Sequence, residues 1–150
     1  PLRRQRQMCI RDRLLGGYML LFKYWSYVGT LTEIEEYVRV YENDDWNCEP
    51  IEFEADVYGL IKGRHNLPVN NYIFDDNTVI FGPSSFGTME QNAEITLLSK
   101  KESSNIIIYV TGYSASLIAA INAAKNTGYT QVILKHHDKE TGLYLCQWVY

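Results

Sequence analysis

The sequence feature that most constrains the fold is an apolar run near the C-terminal end. Residues 105–110 read Asn-Ile-Ile-Ile-Tyr-Val without polar alternation, as expected of a strand that is covered on both faces of a sheet. An alanine-rich helical pattern follows over 114–127, and a further apolar run covers 131–135. Because a strand-helix-strand crossover joins parallel strands and is right-handed, this segment predicts two parallel strands of one sheet.

The same segment predicts how its helix begins and ends. Ser114 is expected to cap the helix and Gly128 to stop it. The inner face is expected to carry Leu117, Ile118, Ile121 and Ala124. A turn over 138–142 then leads to a last strand over 143–149, so the final fifty residues read β-α-β-β.

Elements earlier in the chain are predicted from periodicity and turn residues. A strand over 20–28 ends in a turn at Gly29, and Thr30 with Glu33 has the capping-box spacing of a helix start. The later predictions are a strand over 51–57, a loop over 59–68, a hairpin over 72–81 and a loop over 82–87. A helix capped by Thr88 or Ser85 is expected to reach about Lys101, with Met89, Ala93 and Leu97 inward. The fold class is therefore α/β, with α+β as the alternative: a small mixed sheet with a C-terminal β-α-β-β unit and an antiparallel hairpin in the middle.

Residues 1–18 are predicted to be foreign to the natural protein. Residues 7–13 read Gln-Met-Cys-Ile-Arg-Asp-Arg, which resembles a translated mosaic-end adapter of transposase-based sequencing libraries. Gly-Gly-Tyr-Met at 16–19 can be encoded by a ribosome-binding site and a start codon. Such segments are set aside before fold reasoning. We therefore expect a single globular domain over 19–150, from a metagenomic bacterial or phage gene.

The charge of that domain limits its partners. The full sequence has 14 basic and 18 acidic side chains, a net charge of −4, and residues 1–18 hold five of the basic and one of the acidic ones. The remaining 9 basic and 17 acidic side chains give −8, which disfavours long nucleic acids and anionic membranes. Cys48 and Cys146 without a secretion signal suit a reducing cytoplasm, here that of a bacterial host cell. No cofactor or metal motif is found, so we expect neither.

Two strand-to-helix corners are candidate ligand sites. The helix after 110 has no carboxylate from 114 to 128, so its N–H groups can accept a phosphate, assisted by the helix dipole. The candidate binding residues at this corner are Thr111, Gly112, Ser114 and Ser116. The other corner supplies Ser26, Gly29 and Thr30. The alternative is an ordinary turn with a serine cap.

A family resemblance adds to this interpretation. A strand, Thr-Gly-x-Ser-x-x-Leu over 111–117, an alanine-rich helix and a strand together resemble the second signature of the CRISPR-associated Rossmann-fold (CARF) sensors. Residues 26–30 take the place of their first ligand loop. The resemblance implies a cyclic oligonucleotide as the ligand and a homodimer or higher homo-oligomer. It also implies that a domain without an attached effector would degrade or sequester the messenger, for example on behalf of a phage that counteracts host defence.

Catalytic candidates are few. His136 and Asp138 fall on one face of a strand, and an imidazole beside a carboxylate can act as a general base. Arg64 and His65 in a glycine-containing loop form the second candidate group. A polar strand end and a solvated loop are the respective alternatives. The sequence thus favours a non-catalytic binder of a small phosphate-bearing ligand; the alternatives are a metal-independent phosphodiesterase or ring nuclease, and an acidic module that binds a basic protein.

Overall fold

The computed structural model describes residues 19–22, 27–41, 50–63, 66–75 and 85–150, with only the backbone of Leu20 and Phe22. The predictions for residues 1–18, for Ser26, for Arg64 and His65, and for the second arm of the hairpin at 79–81 lie outside these residues.

Eight strands and three helices make up the described part of the chain. In chain order they are β1 Met19–Phe22, β2 Tyr27–Gly29, α1 Leu31–Tyr41, β3 Ile51–Phe53, β4 Asp56–Lys62, β5 Tyr72–Asp75, α2 Ser85–Ser99, β6 Asn105–Tyr109, α3 Ser114–Asn126, β7 Gln131–His137 and β8 Tyr144–Trp148. The described residues fall into two compact units. The first holds those up to 54 together with 137–146, and the second holds those over 55–136 and 147–150.

A five-stranded sheet has the order β5-β4-β6-β7-β8. Its residues belong to the second unit except for His137 and residues 144–146. The first four strands are parallel neighbours. Beyond them, Val132 N–H donates to Tyr150 O (3.0 Å) and Val149 N–H donates to Val132 O (2.8 Å), which is the antiparallel return of a hairpin. The sheet is therefore mixed, and the predicted α/β class with its C-terminal β-α-β-β order is confirmed.

Strand β6 lies in the interior, and residues Ile106 to Tyr109 have no exposed surface. This explains the unbroken apolar run, because both faces of the strand are covered. Helix α2 buries Met89, Ala93 and Leu97 as predicted, but it begins at Ser85, so the predicted loop over 82–87 is wrong for its last three residues.

Helix α3 buries Ala124 as predicted, and Leu117 and Ile121 of the predicted inner face are partly buried against the core, but the prediction for Ile118 is wrong. The buried residues of the helix are Ser116, Ala119, Ala120, Ala123 and Ala124, whereas Ile118 is 60% exposed. Small side chains face inward because α3 packs against α2 as well as the sheet, and alanine allows a close approach of backbones. The predicted stop is confirmed: Gly128 has φ +91°, and the N–H groups of Gly128 and Tyr129 close the helix on Lys125 O (3.3 Å) and Ala124 O (3.1 Å).

The single strand predicted over 51–57 is two strands in different sheets, and the predicted loop from Gly59 is part of β4 up to Lys62. Alternation of apolar and polar residues does not extend through β4, because Tyr58 to Ile61 are all buried and both faces of the strand are covered. Gly59 fits here because a Cβ would lie 2.6 Å from Tyr72 Cε1, so the Tyr72 ring occupies the space of a side chain. The first arm of the predicted hairpin is β5, a parallel neighbour of β4.

The first unit contains a three-stranded antiparallel sheet in the order β2-β1-β3. The strand predicted over 20–28 is thus two strands, and Gly29 ends the second of them instead of forming a turn. Helix α1 buries Leu31, Ile34 and Val38, while Tyr41 is 41% exposed.

Candidate functional site

The order of the parallel strands marks one place where a ligand can enter the sheet. From β4 the chain moves to β5 on one side, and from β6 it moves through α3 to β7 on the other side. Connections leave β4 and β6 in opposite directions, so the carboxyl ends of this pair form a topological switch point. Open α/β sheets bind their ligands at such points.

Thr111 and Gly112 lie at this switch point. Gly59 is the register partner of Tyr109, which places Ile61 level with Thr111, and the buried Thr111 hydroxyl donates to Ile61 O at 3.5 Å. Gly112 is exposed and has φ +79°, a conformation that L side chains adopt at a cost. The chain therefore turns from β6 into α3 with bare backbone facing outward.

The start of α3 carries no negative charge. Its N-cap residue is Tyr113, with φ −90° and ψ 141°, and no side-chain capping hydrogen bond forms there within the described part of the chain. The predicted cap, Ser114, is instead the first helical residue and is exposed. N–H groups of a first turn have no partner within the helix, so this end can donate hydrogen bonds to an anion.

Ser116 is a correction to the predicted site. It is fully buried, and its hydroxyl donates to Met89 Sδ at 3.8 Å. A side chain between α3 and α2 is not positioned to contact a ligand at the helix start. The candidate site at this corner is therefore reduced to Thr111, Gly112 and Ser114.

The other predicted corner belongs to the first unit and to a different sheet. Thr30 N–H donates to Glu33 Oε1 (3.0 Å), and Glu33 N–H donates to Thr30 Oγ1 (3.2 Å). This reciprocal capping box confirms the predicted helix start. It also occupies the Thr30 hydroxyl, while Gly29 is buried in β2. The backbone N–H groups of Thr30 and Glu33 are therefore already paired, and the Glu33 carboxylate at this helix start disfavours an anion.

His136 lies at the carboxyl end of β7, on the same edge as Thr111. The strands β6 and β7 are in register up to Tyr109 and Lys135, and Val110 N–H donates to Lys135 O (3.0 Å). The predicted partner of His136 is wrong: its Nε2 contacts Gln147 Oε1 at 2.7 Å. When Nε2 carries the proton of the neutral ring, the lone pair is on Nδ1.

Asp138 serves the turn instead. It accepts hydrogen bonds from Glu140 N–H (3.0 Å), the Thr141 hydroxyl (3.0 Å) and the Tyr41 hydroxyl (3.1 Å). These donors, led by Glu140 N–H, lower the pKa of the Asp138 carboxyl. The Asp138 carboxylate thus stabilises the turn over 138–142 by accepting hydrogen bonds from two of its residues.

Two lysines at the ends of strands were not predicted as site residues. Lys62 ends β4 beside the switch point and is exposed. Lys135 is fully buried, with its Nζ 5.7 Å from the centroid of the Tyr109 ring, a cation–π arrangement. The available signal was Lys135 itself, which directly follows the apolar run Val-Ile-Leu.

No protein-family model, curated protein or solved structure matches the chain. None of the helices in the described ranges is long and apolar enough to cross a membrane. Within the same ranges, no three His, Cys, Asp or Glu side chains are grouped as metal ligands would be. The class is thus defined by architecture: an α/β chain whose parallel strands present an uncharged helix start at a switch point.

Proposed function

We propose that the chain binds a small phosphate-bearing ligand, a nucleotide or cyclic oligonucleotide, at the start of α3. The observation that carries the proposal is the uncapped, uncharged first turn of α3 at the switch point between β4 and β6. Gly112 gives a phosphate close access to the backbone, the Ser114 hydroxyl adds a donor, and the helix dipole favours the negative charge.

The experiment is isothermal titration against a panel of linear and cyclic mono-, di- and oligonucleotides. We expect heat of binding with at least one cyclic oligonucleotide and a weaker signal with inorganic phosphate. S114E places a carboxylate in the first turn, and we expect it to raise the Kd at least about tenfold through repulsion and competition for N–H groups. Q91E adds the same charge at an exposed position of α2 and serves as the matched control. Absence of heat with every member sinks the proposal.

A cellular role follows from this chemistry. A protein that binds a cyclic oligonucleotide without cleaving it lowers the free concentration of that messenger. In a phage-infected bacterium, such sequestration would counteract host defence signalling. Equimolar protein should then inhibit a nucleotide-activated effector in a purified assay, and S114E should relieve the inhibition. Unchanged effector activity at saturating protein would contradict this role.

A second candidate function is cleavage, supported by His136 at the same edge and by its 2.7 Å contact with Gln147. In this mechanism His136 Nδ1 accepts a proton from a ribose 2′-hydroxyl and the 2′-oxygen attacks phosphorus. The P–O5′ bond breaks, the 5′-oxygen takes a proton from water and leaves as a hydroxyl, and a 2′,3′-cyclic phosphate remains. Chromatography after incubation with protein and chelator tests it. Intact nucleotides exclude cleavage, and products that persist with H136A show that another residue is responsible.

We also propose that a second copy of the chain covers the outer side of α2 and α3. Leu98, Ile118 and Phe86 are 60%, 60% and 54% exposed there, and a 330 Å³ groove lies between Phe86 and Ile118. Glu90 and Glu94 beside this groove accept hydrogen bonds from Asn126 (3.1 and 2.9 Å). The exposed apolar side chains would be covered in a self-complementary contact, and the carboxylates beside them already have hydrogen-bond partners. Sedimentation should give a dimer for the wild type and a monomer for I118E; a monomeric wild type overturns the proposal.

A further inference from the structure

A second cleft runs along the outer edge of the five-stranded sheet. Its volume is about 510 Å³, within the range of ligand and peptide sites. One wall is formed by β5 and the residues before it, over 70–75, and the other by α2. The α2 residues that line it are Asn92, Ile95 and Thr96, and Lys100 lines it directly after the helix ends.

The strand wall presents backbone groups to this cleft. Gly59 N–H donates to Asn71 O at 2.8 Å, and in a parallel ladder alternate residues bond to the same neighbour. The N–H and C=O groups of Tyr72 and Phe74 therefore point away from β4. Among the strands that the structure describes, β5 has a neighbour on one side only.

The side chains of β5 and α2 form the two walls of the cleft, between which an extended peptide fits. Ile73 and Phe74 are each only 5% exposed, so most of their surface is in the core. The Tyr72 ring is held across Gly59 on the neighbouring strand. Opposite, Ile95 is 68% exposed on α2. An edge strand facing an amphipathic helix wall is the geometry of β-strand addition, in which main-chain hydrogen bonds give affinity and pockets select alternate side chains.

The charged side chains at the two ends of the cleft indicate what kind of ligand fits it. Lys100 lies at the end of the cleft where β5 begins, and its Nζ donates to Asn71 Oδ1 at 3.1 Å. Lys62 and Asp75 are register partners at the other end, about 13 Å away along the strand. The first end is thus cationic in an acidic chain, whereas the other carries both signs.

We infer that the cleft between β5 and α2 binds an extended peptide, antiparallel to β5, with a carboxylate at its C-terminal end beside Lys100. An antiparallel strand places its C-terminus at the start of β5, where the ammonium group is. Its main chain pairs with Tyr72 and Phe74, and its alternate side chains contact Ile95 and the Tyr72 ring. This site is separate from the nucleotide site proposed at α3.

The test uses the full chain and a fluorescein-labelled pentapeptide, Thr-Val-Thr-Val-Asp, with a free C-terminus. We expect saturable anisotropy, and a Kd about threefold to tenfold weaker when the peptide is amidated with Asn at its end. K100Q should cause a similar loss, whereas K125Q, at an exposed position of α3, should cause none.

T96R fills the cleft and should abolish binding, while Q91R, at an exposed position of α2, should not.

Amide hydrogen exchange supplies a readout that a nonspecific anion would not change. Bound peptide should slow exchange at Tyr72 and Phe74, whose N–H groups point outward, and should alter Ile73 little. Three outcomes overturn the inference: no saturable binding of the pentapeptide, equal binding to wild type and T96R, or displacement by acetate without protection of Tyr72 and Phe74. The last outcome identifies a site for small anions only.

Discussion

Helices α1 and α3 both follow a strand, but the N–H groups of their first turns meet different surroundings. One residue, Thr30, separates β2 from α1, and it exchanges two hydrogen bonds with Glu33. Four residues separate β6 from α3, among them Gly112 at φ +79°, and the N-cap Tyr113 forms no capping hydrogen bond through its side chain in the described chain. The first helix start is satisfied by its own sequence, whereas the second is open to an external acceptor.

The difference between the two helix starts depends on whether the third helical residue is packed in the core. The third helical residue is Glu33 in α1, where it reaches back to Thr30. The equivalent residue of α3 is Ser116, which is buried against Met89. A reciprocal capping box cannot form at α3 because the position for its carboxylate belongs to the core. Burial of Ser116 therefore excludes a carboxylate at the third position of α3.

The largest effect should come from forcing the α1 pattern onto α3. S116E places a carboxylate in a site with no exposed surface, and we expect the free energy of unfolding at neutral pH to fall by about 3 kcal/mol or more. Burial raises the pKa of an introduced carboxyl, so part of the loss should be recovered as the pH falls and the group is protonated. Urea denaturation at two pH values measures both effects.

The matched control for this variant is S116A. Alanine fits the buried space and has the higher helix propensity, so we expect stability within about 0.5 kcal/mol of the wild type. If S116E were as stable as S116A at neutral pH, Ser116 would face solvent, and the explanation for the uncapped start of α3 would be wrong.

A smaller effect is expected from breaking the capping box of α1. T30A removes the hydroxyl that accepts from Glu33 N–H, and we expect a loss of about 1 kcal/mol. T32A changes an exposed threonine of the same turn and is the control for composition. Thermal unfolding of the two variants should separate them; equal melting temperatures would mean that the reciprocal bonds contribute nothing measurable.

Sequence reasoning recovered features that are set locally. The Thr30–Glu33 spacing identified the α1 cap, Gly128 identified the end of α3, and the run from Ile106 to Tyr109 identified an interior strand. Each depends on residues that are neighbours in the chain. The same reasoning located the strand-to-helix corner at Thr111 and Gly112, because a strand end and a helix start are both visible in one segment.

What sequence reasoning missed depends on contacts between distant segments. The direction of Ser116 is set by Met89 on α2, and the partner of His136 is Gln147 on the neighbouring strand. The break between β3 and β4 was hidden because the polar alternation at 51–57 continues across it. Sheet order, which creates the switch point between β4 and β6, likewise has no signature within either strand.

The smallest predicted effect concerns the other end of α1, where Tyr41 donates to Asp138. Hydrogen bonds from Glu140, Thr141 and Tyr41 lower the pKa of Asp138 below its ordinary value of 3.8. A carboxyl whose pKa is lower in the folded state contributes stability that is fully present above pH 3.8. That stability is lost as the pH falls through the lowered pKa, because folding then opposes protonation.

D138N should therefore flatten the acid limb of the stability curve below about pH 4 and change neutral stability only slightly, since the group is at the surface. E140Q removes the same charge two residues away and keeps the Glu140 N–H, so it should leave the limb as steep as in the wild type. Stability followed by urea denaturation from pH 2 to 7 distinguishes the two variants. An unchanged acid limb in D138N would show that water in the unfolded chain replaces the hydrogen bonds of Asp138 equally well. The C-terminal end of α1, unlike its capped start, would then not be stabilised by a charged side chain.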